Sequence, residues 1–192
     1  MNNKGLTFRR RQIKMNRAFL YELITWAFGI VVAILAAFVL VSSFGIRTAV
    51  VGSSMEPTLY NGQEILINRI AYQYGSPERN DVIVFRPNGN ENSHYYVKRV
   101  IGLPGETIQI KQGAVYIDGL PYQNDVVEET SDPGVAEAEI ELGVDEYFVL
   151  GDNRENSEDS RSGNIGNVSV ETIDGKAWYH MASGKIGMGL IE

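Results

Sequence analysis

The feature that most constrains this chain is an uncharged apolar run of 22 residues, at positions 23–44. Wound as an α-helix, such a run is about 33 Å long, which matches the roughly 30 Å of a bilayer's hydrocarbon core. It therefore predicts one transmembrane helix. A cleaved signal peptide is the alternative, with Val41-Ser42-Ser43 as its cleavage pattern. The run is longer than the roughly 7 to 15 apolar residues of a secretory signal, which favours an uncleaved anchor.

Charge is distributed unevenly about this run. Residues 1–22 carry six lysines and arginines against one glutamate, which leaves −12 on residues 23–192 within a total of −7. Because basic residues collect on the cytoplasmic side of a membrane helix, we predict a cytoplasmic N-terminus and an extracytoplasmic body. A nucleic-acid arm is the alternative for the basic tail, but the acidic body argues against nucleic acid as a partner.

Beyond the helix, the composition and pattern are those of a folded, mainly-β domain. Of the 192 residues 44% are hydrophobic, and there is no cysteine, which excludes disulfides and thiolate catalysis. Asp118-Gly119 predicts a hairpin turn, and Asp174-Gly175 predicts a turn before the last strand. The acidic, weakly patterned residues 123–143 predict a solvated loop or an insertion. Short apolar runs predict strands at 65–67, 82–85, 108–110, 114–117, 147–150 and 176–181.

A candidate nucleophile, Ser54, lies shortly after the helix. Pro57 fixes its own φ and pushes Glu56 towards an extended conformation, so Ser54 is predicted to lie on a stiff turn or strand end. Hydroxyls in Gly/Ser/Pro loops are more often turn formers, and a serine is a weak nucleophile until a base activates it. A catalytic role for Ser54 therefore depends on a base elsewhere in the chain.

Two residues are candidates for that base, His94 and Lys98, in the strand-like run 93–101. In a strand they share a face but lie about 13 Å apart, too far to act on one hydroxyl. The same-face neighbours of Lys98 are Tyr96 and Val100, and apolar surroundings lower the pKa of a lysine from its reference of about 10.4. From spacing alone, an ordinary solvated charge remains the more common interpretation of Lys98.

Residues 151–161 follow a predicted strand and concentrate turn formers, hydroxyls and opposite charges. Asp152, Asn153 and Asp159 are oxygen ligands that a calcium loop would use. Their spacing does not match the EF-hand pattern, and the segment contains two arginines. The pattern favours a charge-paired scaffold.

Four ordered segments, residues 53–59, 80–85, 98–106 and 151–161, resemble the successive motif boxes of type I signal peptidases. The resemblance extends from about residue 20 to about residue 180, and the single anchor and short body are most similar to the Gram-positive form. It implies a mainly-β, two-lobed fold with a small inserted lobe at about 107–146. The chain would then comprise a cytoplasmic tail (1–22), an anchor (23–44) and an extracytoplasmic catalytic domain (45–192).

The resemblance also implies roles for individual residues. Ser54 takes the place of the nucleophile and Lys98 that of the general base, while Ser157 matches the hydroxyl that orients the lysine. Asp159 and Arg161 match a structural ion pair beside the site.

Further residues match the substrate pockets and the oxyanion hole. Gly52 stands where the double-anchored form has an oxyanion-stabilising serine, so the oxyanion would depend on the Ser54 N–H, with solvent or the Gly52 backbone as candidates. The resemblance assigns these residues to substrate binding: Val50, Met55, Leu59 and Val97.

The sequence therefore predicts a membrane-bound serine endopeptidase with a Ser-Lys dyad, without metal or cofactor. Its substrates would be signal peptides of exported preproteins with small residues at −3 and −1, and it would work as a monomer in the lipid bilayer. A non-catalytic, membrane-anchored β-domain for binding or assembly is the alternative. A self-cleaving relative of the soluble SOS repressors shares the dyad but does not account for the anchor.

Overall fold

The computed structural model describes residues 17–44, 46–90, 93–123 and 130–191. The chain divides into two compact units, and the second begins at Val41. Helix α1 (Arg17–Phe44), most of which belongs to the first unit, is apolar on all faces, and side chains such as Trp26 and Phe38 are exposed to 70% or more. Among the described residues, α1 is the one helix long and apolar enough to cross a membrane, with a mean hydropathy of 2.7.

The predicted cytoplasmic tail is described only in part. Residues 1–16, which hold most of its basic side chains, lie outside the described residues. Residues 17–22 are helical and belong to α1. The division into tail, anchor and catalytic domain therefore stays a prediction.

The second unit consists mainly of antiparallel strands. It also contains a short helix, α2 (Ala71–Tyr74). The strands within the described ranges are β1 (Ile46–Ala49), β2 (Glu64–Asn68), β3 (Val82–Phe85), β4 (Tyr96–Gly102), β5 (Thr107–Lys111), β6 (Ala114–Ile117), β7 (Leu120–Pro121), β8 (Ile140–Glu141), β9 (Glu146–Leu150), β10 (Val168–Ser169), β11 (Ile173–His180) and β12 (Gly189–Leu190). The prediction of a mainly-β fold is confirmed.

These strands form two sheets. The larger has the order β1-β2-β11-β3-β4-β9-β10, with β12 paired to β11. The smaller has the order β7-β6-β5-β8 and lies between β4 and β9 in the chain. Within it, Asp118 and Gly119 have φ values of 49° and 77° and join β6 to β7. Positive φ at both central residues is typical of a two-residue hairpin turn, so the predicted hairpin is confirmed.

Three predictions about local structure are wrong. Asp174 and Gly175 form no turn but lie inside β11, at a bulge where the register with β3 shifts and Gly175 has a φ of 157°. Residues 93–95 lie outside β4, which begins at Tyr96. The predicted loop at 123–143 contains a 3₁₀ helix (Gly134–Glu137) and β8, while its residues 124–129 lie outside the described residues.

Two clusters of buried apolar side chains in the described ranges hold the loop of Ser54 and the small sheet against the large sheet. In the first, side chains of β2, β3, β4 and β11 pack against the segment that contains Ser54, through the buried Val50, Met55 and Leu59. The second lies where the two sheets meet, with Ile108 and Phe148 among its members. Close packing there requires a glycine at position 102, since a Cβ would lie 2.7 Å from Leu142 Cδ1. The segment with Ser54 is thus held against the large sheet.

Candidate active site

A serine and a lysine meet at the face of the large sheet. Lys98 lies on β4 and is 3% exposed, and its Nζ donates a hydrogen bond of 2.6 Å to Ser54 Oγ. Ser54 lies in a tight loop in which the Glu56 N–H donates to Ser53 O and the Leu59 N–H donates to Met55 O. This distance is within the range expected of a nucleophile and its base.

Burial sets the protonation of Lys98. It lowers the pKa of the amine from its ordinary value to about 8, because the ammonium loses hydration. The carboxylates of Asp159 and Glu158 oppose this shift, and the positive charge of Arg161 adds to it. Near pH 8 a large fraction of the amine is therefore neutral and able to accept a proton.

The segment after β9 holds the backbone around Ser54. The Asn153 N–H donates to Ser54 O at 3.0 Å, and Asn153 Nδ2 donates to Ser53 O at 3.2 Å. Asn156 Nδ2 reaches the Ser53 hydroxyl at 2.7 Å. The two asparagines thus fix the loop of Ser54 through its polar atoms, while its buried apolar residues pack on the core.

A buried ion pair ties this segment to β4. Arg99 and Asp152 are each 1% exposed, and Arg99 donates through Nε and Nη2 to the two carboxylate oxygens, both at 2.8 Å. Thr58, four residues after Ser54, donates to the same carboxylate at 2.6 Å. One carboxylate therefore connects the strand of Lys98, the loop of Ser54 and the segment after β9.

A second buried pair joins Asp159 and Arg161, through bonds of 2.8 and 2.9 Å. Burial opposes ionisation of Asp159, but the hydrogen bonds and charge of Arg161 outweigh it and hold the pKa of that carboxyl below its ordinary value. Arg161 also donates to Thr130 and to Arg154 O. Asp159 and Asp152, considered above for calcium, bind arginines instead.

The dyad opens into a cleft of about 480 Å³. Residues 50–54 and 93–98, with Asn156 and Glu158, line it. Val50 and Val97, two of the predicted substrate-binding residues, therefore lie at the cleft.

Comparison with known proteins identifies the family. Residues 23–181 match the family described as signal peptidase, peptidase S26. The chain belongs to the S26 signal peptidase family. It is thus a serine peptidase, and the predicted resemblance to type I signal peptidases is confirmed.

Individual relatives of this S26 peptidase cover most of its length. A signal peptidase I P of Bacillus subtilis subsp. natto is 37% identical over 155 residues, covering 74% of this chain and 80% of the relative. A signal peptidase IB of Staphylococcus aureus (strain Mu50) is 34% identical over 174 residues, covering 82% and 88%. A crystal structure of a signal peptidase I from Enterococcus faecalis V583 is 31% identical, covers 52% of this chain and 95% of its own, and has a TM-score of 0.43.

Not every predicted site residue of this S26 peptidase reaches the cleft or the dyad. Met55 and Leu59 are fully buried in the core and do not line the cleft, because their side chains point into the cluster under the loop. His94, the other candidate base, is exposed and lines the cleft. The assignment of Met55 and Leu59 to substrate pockets stays a prediction.

Ser157, predicted to orient the lysine, makes no hydrogen bond with Lys98. Its buried Oγ helps Arg161 to hold the pKa of the Asp159 carboxyl below its ordinary value. The hydroxyl lies against Gly151, where a Cβ would be 2.2 Å from it. An orientating role for Ser157 therefore requires a movement of the lysine or of the hydroxyl.

Gly52 has a backbone suited to glycine, with a φ of 89°, and its N–H donates to Asn61 Oδ1 at 2.9 Å. That amide is therefore occupied in this conformation. The Ser54 N–H makes no hydrogen bond within the described part of the chain. Of the two backbone donors considered from the sequence, the Ser54 amide is the one available to an oxyanion.

Sequence reasoning missed Arg99, Thr58 and the two asparagines as supports of the site. Arg99 is adjacent to Lys98, and Asp152 comes two residues after the end of a predicted strand, so both were visible in the sequence. What was missing was the strand register, which pairs Arg99 with Leu150 and brings Asp152 within reach.

Gly151→Ala is expected to lower kcat/KM at least tenfold. A Cβ at this position would lie 2.2 Å from Ser157 Oγ and 2.5 Å from Ser54 O, so the backbone of Ser54 would have to move. Small displacements of reacting groups cost large factors in rate. Gly163→Ala is the matched control, because its nearest neighbour is 4.0 Å away. Parental activity in a folded Gly151→Ala protein would contradict this packing.

Proposed function

We propose that this S26 peptidase is a membrane-anchored serine endopeptidase that removes signal peptides from exported preproteins with a Ser54–Lys98 dyad. The observation that carries the proposal is the 2.6 Å contact between Ser54 Oγ and the amine of a buried lysine whose pKa is lowered to about 8. Relatives named signal peptidase I support the substrate class.

The chemistry follows from this pair. Neutral Lys98 accepts the Ser54 proton as Oγ attacks the scissile carbonyl, and the Ser54 N–H stabilises the resulting oxyanion. The lysine then donates its proton to the leaving amine, which leaves an acyl group on Ser54. A second proton transfer to neutral Lys98 activates the water that hydrolyses this ester. Within this proposal, Ser157 orients the amine, and Asp159 and Arg161 hold the segment that carries it.

Substrate selection and location complete the proposal. Val50 and Val97 give the cleft small apolar surfaces, which accept small side chains at −1 and −3 and cannot solvate a charge there. Helix α1 anchors the enzyme, with the N-terminus cytoplasmic and the catalytic domain outside. The preprotein's own apolar segment then shares the bilayer with the enzyme, which brings the scissile bond to Ser54.

Cleavage of a model preprotein by the detergent-solubilised chain tests this function. We expect a product whose N-terminus follows the small residue at −1, no product when lysine replaces that residue, and a rate that rises with pH through about 8. Ser54→Ala is the matched control for contaminating proteases. Absence of cleavage by the folded parental protein would favour the non-catalytic β-domain, and a rate that does not change with pH would exclude Lys98 as the base.

A further inference from the structure

Glu158 is the one acidic side chain among the described residues that line the cleft. The neighbouring carboxylates of Asp152 and Asp159 are buried and paired with arginines. Glu158 is exposed, and no lysine or arginine in the described ranges forms an ion pair with it. Among the described residues at the cleft, Glu158 is therefore the one acidic side chain, and it has no lysine or arginine in an ion pair with it.

This carboxylate is held close to the dyad. The Tyr96 hydroxyl donates to Glu158 Oε2 at 3.1 Å, and the ring of Tyr96 lies 5.5 Å from Lys98 Nζ. Burial raises the pKa of Tyr96, and the hydrogen bond to Glu158 raises it further, so the phenol stays protonated and keeps donating. A second carboxylate oxygen remains for another donor.

We infer that Glu158 is a specificity-determining residue, which makes the cleft favour substrates with a basic side chain near the scissile bond over substrates with an acidic one there. The inference rests on the proposed function and adds a charge preference to it. Under the proposed mechanism Lys98 acts in its neutral form, so Glu158 then supplies an unbalanced charge at the cleft. A lysine or arginine of the substrate would be attracted, and a glutamate would be repelled.

The test compares pairs of preproteins that carry either lysine or glutamate at one position between −5 and +2, with −1 and −3 kept as alanine. The parental full-length protein should cleave the lysine-bearing preprotein with a kcat/KM about fivefold higher than the glutamate-bearing one, at one or more positions and at low salt. This factor corresponds to the free energy of an exposed charge pair. The ratio is measured within one enzyme variant, so an effect of a substitution on the dyad cancels.

Three variants separate charge from structure. Glu158→Gln keeps an acceptor for the Tyr96 hydroxyl and should bring the ratio close to one, while Glu158→Lys should reverse it. Glu155→Gln is the matched control: this exposed carboxylate of the same segment binds Ser131 at 2.7 Å, does not line the cleft and should leave the ratio unchanged. The parental preference should also shrink at high salt.

The outcomes distinguish this inference from the function on which it rests. Two results would overturn the role of Glu158 and leave the proposed function standing, provided that an uncharged preprotein is cleaved efficiently. One is a lysine-over-glutamate ratio of kcat/KM close to one at every position. The other is the same ratio in the parental protein and in Glu158→Gln. Failure of the parental protein to cleave any preprotein would overturn the proposed function and this inference with it.

Discussion

Lys98→Met is expected to reduce turnover at least a thousandfold while the protein remains folded. Methionine keeps roughly the length and volume of the side chain but removes the amine that accepts the Ser54 proton in the proposed mechanism. Loss of a positioned base costs about 10²–10⁴ in rate or more. The measurement is preprotein cleavage across pH. Lys111→Met, at an exposed lysine of β5, is the control and should keep parental activity.

The same substitution should stabilise the protein at neutral pH. Because the folded pKa of Lys98 is lowered to about 8, this group opposes folding fully below that pH, and the penalty disappears as the pH rises past the unfolded value of about 10.4. The gain on replacement by methionine is up to about 3 kcal/mol at pH 7 and should vanish in strongly alkaline solution. Turnover close to that of the parent in folded Lys98→Met would eliminate the dyad.

Asp152→Ala is expected to lower the free energy of unfolding by about 3–5 kcal/mol, since it leaves the 1% exposed Arg99 without its buried counter-charge. Activity should fall as well, because Thr58 and the loop of Ser54 lose their link to β4. Denaturation of the solubilised chain, followed by the fluorescence of Trp178 on β11, measures the stability.

Thr58→Val is the graded control for this pair. It removes one hydrogen bond to Asp152 and keeps the ion pair, so a loss of about 1–2 kcal/mol is expected. If the Asp152→Ala protein were as stable as the Thr58→Val protein, the Asp152 carboxylate would not be what stabilises the link between β4, the loop of Ser54 and the segment after β9.

Local pattern was sufficient for most strands. Apolar runs such as Val82-Ile83-Val84-Phe85 appear as strands, and the Asp118-Gly119 turn forms where its two residues can adopt positive φ. The same Asp-Gly signal failed at Asp174-Gly175, because pairing of β11 with both β2 and β3 extends the strand through a bulge. Pairing with two neighbouring strands thus overrides the local turn preference of the Asp-Gly pair.

The site was predictable only where a motif identified it. Ser54 and Lys98 are 44 residues apart, and no periodicity relates them. Whether Met55 faces the cleft or the core depends on how one loop packs on the sheet, and the sequence pattern carries no information on that. The support by Arg99 and Asp152 depends on the register of β4 against β9, which becomes visible only in the folded chain.

The position of the small sheet has an evolutionary consequence. β4 and β9 pair directly in the large sheet, although four strands lie between them in the chain. The length of a connection between two strands that are already paired has a small effect on stability, since the closure entropy grows slowly with length. Natural variation can therefore lengthen or shorten the loops of this region while β4 and β9 keep their register, provided that the apolar packing between the two sheets is kept. Arg161, which pairs with Asp159, also donates to Thr130, so a change in this part of the region would reach the segment after β9 directly.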